Sequence, residues 1–106
     1  DGLKNQKIHD QYLIIHKSEV RIRKQTRPPI IEALRAYLDK VGEPECHLYV
    51  YMNVDGVPFK AEPTQQCAPE LRGSAVDSIL EWQWTIPKAL RKKNKPIRIV
   101  ERVVFY

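Results

Sequence analysis

The sequence predicts an α+β fold: a mainly antiparallel sheet with two helices packed on one face, in a single domain of 106 residues. Three observations lead there. Cys46 to Glu62 alternates apolar and polar residues on either side of Asp55-Gly56, the mark of a hairpin. Two stretches on either side of it, after Pro28-Pro29 and after Gly73, carry apolar residues at helical spacing. The chain then closes on Ile97 to Tyr106, a β-branched run that is apolar on both faces. The expected order is β-β-α-β-β-α-β, with the helices covering one side of the sheet.

Residues 1–10 are polar and read as a loose lead-in. Tyr12 to Ile15 and Val20 to Arg23 read as strands, with Lys17-Ser18 turning between them. A helical stripe through Ile8, Tyr12, Ile15 and Ile22 is the alternative. Pro28-Pro29 is expected to open a helix, since the first turn does not need an amide hydrogen. Ile30, Leu34, Tyr37 and Val41, flanked by Ile31 and Leu38, form its core stripe, and Gly42 ends it before Pro44.

In the hairpin, a type I′ turn at Asp55-Gly56 puts Met52 opposite Phe59, Val50 opposite Ala61 and Leu48 opposite Pro63, all on a core face. Tyr49, Tyr51, Asn53, Pro58, Lys60 and Glu62 take the other face. Pro63 to Gly73 reads as a loop. Ser74-Ala-Val-Asp77 resembles a capping box, so a second helix should follow, with Ala75, Val76, Ile79, Leu80 and Trp82 inward and Pro87 interrupting it. A short turn of helix spans Lys88 to Lys93. In the last strand, Ile97, Ile99, Val103 and Phe105 line one face, with Val100, Val104 and Tyr106 on the other. A strand apolar on both faces is expected at the centre of its sheet.

At 42% hydrophobic and 29% charged, the composition is that of a soluble globular domain. No apolar run approaches the ~20 residues of a membrane span. No targeting segment is recognisable, and the first residue, Asp1, suggests a processed form or a fragment. The compartment is left undetermined. The net charge of +5 favours acidic partners, and its distribution is informative. Arg21, Arg23, Lys24 and Arg27 lie in one acid-free segment. Lys88, Arg91, Lys92, Lys93, Lys95 and Arg98 lie in another.

The potential metal ligands His9, His16, Cys46, His47 and Cys67 lack the doubled close pairs of a zinc site. Adjacent Cys46 and His47 point to opposite faces of a strand. Cys67 with His47 as its base lacks an orienting carboxylate and an elbow. A disulfide between Cys46 and Cys67 across the hairpin mouth and a pair of reduced thiols both remain open. There is no glycine-rich phosphate loop. Neither a catalytic residue nor a cofactor is expected.

Two functions lead, with an enzyme a distant third that a substrate pocket lined by Cys67 and His47 would revive. The first is a non-catalytic basic module binding a polyanion, most plausibly nucleic acid, through the ten cations named above. Trp82, Trp84, Tyr49 and Tyr51 would offer faces for stacking. The second is a protein-interaction or assembly subunit, taking a protein partner or another copy of the chain. It would dock through Tyr49, Tyr51 and Trp84 or through the terminal strand.

Overall fold

The computed structural model describes residues 11–105. The expected lead-in at 1–10, with Ile8 and His9, and the terminal Tyr106 lie outside the described residues. The described strands and helices run β1 Leu13–Ile14, β2 Arg21–Lys24, α1 Glu32–Val41, β3 Glu45–Met52, β4 Pro58–Pro63, α2 Arg72–Ile79, β5 Gln83–Thr85, α3 Lys88–Arg91 and β6 Ile97–Val104. Short 3₁₀ turns occupy Lys17–Glu19 and Pro69–Leu71. A four-stranded mixed sheet has the order β1-β6-β3-β4, and a separate antiparallel ribbon joins β2 to β5. The α+β class is as predicted. The first two strands do not pair with each other. β1 runs parallel to β6, and β2 leaves to meet β5.

The hairpin keeps its predicted register through Leu48–Pro63, Val50–Ala61 and Tyr51–Lys60, then breaks at Met52, which faces Pro58 and not Phe59. The turn is the cause. Asn53 Oδ1 accepts from the N–H groups of Asp55 and Val57, at 2.9 and 3.1 Å, and the Asn53 N–H donates to the Val57 carbonyl at 3.1 Å. Of the turn residues only Gly56 has a positive φ, +81°. Asp55 therefore lacks the backbone that a type I′ turn requires. The longer, side-chain-braced turn ends in a bulge. A shift of one residue exchanges the two faces of a strand. Pro58 is accordingly buried, and Phe59, expected in the core, is 54% exposed.

α1 starts at Glu32, not at the prolines. The residue before a proline is pushed out of the helical region, which keeps Pro28 out of the helix. Ile31, two residues past Pro29, is also extended, with ψ 164°, and is the residue from which the helix starts. Gly42 does cap the far end, with φ +82° and its N–H on the Leu38 carbonyl at 2.8 Å. Leu34 reaches the core, while Ile31 and Val41 stay exposed. The helix leans on the Pro69–Leu71 turn.

The expected capping box at Ser74 does not form. α2 runs on from that turn and begins at Arg72, which leaves Ser74 inside the helix, its hydroxyl donating to the Pro29 carbonyl. Ala75, Ser78 and Ile79 face inward, and α2 packs on β3, β4 and β6.

The second helix was expected to continue through Trp82. It ends at Ile79, and Gln83–Thr85 becomes β5. Both tryptophans are buried, with ring centroids 5.9 Å apart. The Trp82 indole N–H donates to the Thr26 carbonyl at 3.0 Å, which ties the ribbon to the segment after β2. The Trp84 N–H donates to the Gly56 carbonyl at 2.9 Å. A Cβ at Gly56 would lie 1.8 Å from the Trp84 carbonyl oxygen, so the turn and β5 touch backbone to backbone.

Cys46 and Cys67 form a disulfide, which decides between the two cysteine states. It closes the hairpin mouth, where Thr64 N–H also bonds the His47 carbonyl at 2.9 Å and His47 N–H the Gln66 carbonyl at 3.2 Å.

Candidate interaction surfaces

β6 has two different sides. Along its whole length it pairs antiparallel with β3, from Met52–Ile97 to Glu45–Val104. On the opposite side β1 covers only Ile97 and Arg98. Leu13 N–H donates to the Pro96 carbonyl at 2.8 Å, and Ile15 N–H to the Arg98 carbonyl at 3.2 Å. Backbone groups alternate in direction along a strand. Even-numbered residues therefore aim theirs away from β3. Among the described residues, no strand lies beyond Val100, Arg102 and Val104 on that side. The expectation of a central strand holds only where β1 lies alongside.

A groove of about 690 Å³ runs beside this edge. Glu101 to Val104 form one wall, residues 16–18, 20–22 and 25–28 the other, and Trp82 also lines it. Lys17, Arg21, Arg27 and Arg102 give it a cationic lining. The Glu101 side chain is 7% exposed and accepts from Lys17 Nζ at 3.4 Å. The edge is also apolar, with Val100 41% exposed. The opposite sheet edge, β4, is built differently. Proline occupies both of its ends, and exposed Lys60 and Glu62 pair at 2.8 Å between them. Proline and charge are the usual means of closing an edge to further pairing.

The face of the sheet away from α2 carries the predicted tyrosines. Arg98 lies over the Tyr49 ring at 4.6 Å, Lys60 over Tyr51 at 5.3 Å, and Tyr12 meets Tyr51 edge-on at 5.0 Å. Tyr49 is half-buried and Tyr51 is buried beneath these neighbours. At the far end of this face, Glu45 joins His47 at 3.2 Å and Arg102 at 3.2 Å. The hydrogen bond from His47, then the nearby Arg102 charge, outweigh desolvation and hold the Glu45 carboxyl below the usual carboxylate range. The bond that Lys60 donates to Glu62, with the Glu62 charge, raises the Lys60 amine above its ordinary value. Trp84, expected to touch a partner, is fully buried and presents no face for one. Trp82 is withdrawn in the same way.

The two basic segments come together in part. Pairing of β2 with β5 puts Arg21 beside Thr85, and α3 begins three residues further on. Arg23 and Arg91 line one hollow with Asp55 and Thr85, and Arg23 also donates to Gln83 at 2.9 Å. Lys24, Lys88, Lys92, Lys93 and Lys95 are exposed. Arg98 is turned onto Tyr49, and Arg27 lines the groove.

With Cys67 in a disulfide, no thiol is left to act as a nucleophile. Among the described residues, no three His, Cys, Asp or Glu side chains gather as a metal site. No helix there is long and apolar enough to cross a membrane. No protein-family model, curated protein or solved structure matches the chain.

Proposed function

We propose that this domain is a protein-docking module that takes an extended segment of a partner polypeptide as an added strand on β6. The observation that carries the reading is the contrast between the two sheet edges. β4 is closed by proline and charge, while the side of Val100 to Val104 away from β3 has no strand beside it among the described residues and faces a groove. Strand addition draws affinity from main-chain hydrogen bonds and specificity from alternate side chains. The groove's second wall, at residues 16–18, 20–22 and 25–28, faces this edge and would flank a strand added there. The disulfide fits an oxidising compartment, where protein partners are a more natural expectation than nucleic acid.

The test is selection from a displayed peptide library, followed by amide shift mapping of the selected peptide. The expected peptides are β-rich and perturb Val100, Arg102 and Val104 most. Peptides that map instead to Tyr49 and Lys60, or a library that yields none, would overturn the reading.

The meeting of Arg23 and Arg91 in one hollow favours a second reading, polyanion binding through β2 and residues 88–95. With both tryptophans buried, such binding would rest on phosphate contacts and fall steeply with salt. Titration of labelled DNA, RNA and heparin at two salt concentrations tests it. Loss of affinity in Lys92→Glu with Lys93→Glu supports it, and no binding at low salt refutes it.

A further inference from the structure

Glu101 is a charged residue in a core slot. It shares the inward face of β6 with Ile97, Ile99 and Val103, and only 6% of it is exposed. One oxygen, Oε1, explains its position. It accepts from the Arg102 backbone N–H at 3.0 Å and from Lys17 Nζ at 3.4 Å. The Arg102 N–H is the middle donor of the unpaired edge, and a neighbouring strand would answer it with a carbonyl oxygen. The Glu101 carboxylate thus takes the hydrogen bond that a neighbouring strand's carbonyl would take. Lys17, in the turn just after β1, supplies the second contact.

We infer that Glu101 and Lys17 form a latch on the docking edge, which an incoming strand must displace before it can pair. The inference rests on the strand-addition reading and adds its regulation. An inward-pointing charge is a known guard against unwanted strand pairing. Here the guard is bonded to the edge donor itself. In the closed state the latch suppresses indiscriminate pairing, because a partner must replace a charge-assisted hydrogen bond with an ordinary one. When a strand arrives, the carboxylate swings away with Lys17 towards the groove, and Arg102 N–H passes to the partner's carbonyl.

Two measurements test this. In the unliganded protein, hydrogen exchange at the Arg102 amide should be at least tenfold slower than at Val100 and Val104, and Glu101→Ala should bring it level with them. Glu101→Ala should then bind a library-selected peptide about tenfold more tightly. Lys17→Ala, which leaves the carboxylate with one contact, should gain a few-fold and serves if the first variant folds poorly. A peptide that maps to the edge but binds both variants no more tightly than wild type would overturn the latch and leave the docking reading standing. Fast exchange at Arg102 in the wild-type protein would overturn it as well. Peptides that avoid the edge would remove the docking reading and the latch together.

Discussion

Replacing both Cys46 and Cys67 with alanine removes a cross-link that spans 21 residues of sequence. Loop-closure entropy puts the stabilisation from a bridge of that span at about 3 kcal/mol. The bridge ties the start of β3 to the loop that feeds α2, and both sulfurs lie in the core. The enclosed loop is not flexible in the native state, because the β3–β4 ladder already spans most of it. The effect therefore falls on the unfolded chain, where the ladder is gone and the cross-link remains. With a urea slope of roughly 1.2 kcal/mol/M for a domain of this size, the midpoint should fall by about 2–3 M. Urea melts of wild type and the double variant, each with and without reductant, give the number. Reductant should move the wild type towards the variant and leave the variant unchanged. A variant within about 1 kcal/mol of the wild type would refute the reasoning.

Three further outcomes follow from local geometry. Gly56→Ala combines a positive φ with a Cβ 1.8 Å from a backbone oxygen, so it should cost at least about 2 kcal/mol in thermal or urea melts. Trp82→Phe should cost about 1 kcal/mol more than Trp84→Phe, because only the Trp82 indole has a hydrogen-bond acceptor; equal costs would deny that bond a role. The lowered Glu45 carboxyl stabilises the fold above its unfolded pKa, and that contribution is lost as pH falls through the folded value. Glu45→Gln should therefore flatten the acid limb of the stability profile below about pH 4.5, and an unchanged limb would contradict the His47 contact.

The α+β class, the hairpin arms as far as Tyr51 and the Gly42 cap were legible because each rests on a local rule of alternation or backbone conformation. The tip of the hairpin was not. Asp55-Gly56 carries the signature of a two-residue turn, but Asn53 competes with its own side chain, and the winning turn exposes Phe59. β5 was hidden because Trp82 continues the helical stripe of α2. Its strand state depends on β2, some sixty residues earlier, and on the carbonyl of Gly56. The apolar character of β6 on both faces was visible, and read as a central strand. Its partial exposure follows from β1 stopping at Ile14, which no composition rule reveals. The basic residues were visible as two runs, but only the β2–β5 ribbon brings Arg23 to Arg91. Glu101 gave no signal, since its role depends on an edge that only the assembled sheet creates.

The most direct test of the docking edge compares Arg102→Pro with Arg102→Ala for binding of a selected peptide. Both variants lose the side chain and its bond to Glu45. Only proline removes the outward N–H, and it spares the ladder to β3, since an edge strand tolerates proline where the N–H faces away. The account predicts tenfold or weaker binding for Arg102→Pro than for Arg102→Ala, with both variants folded. Equal affinities would contradict strand addition on β6.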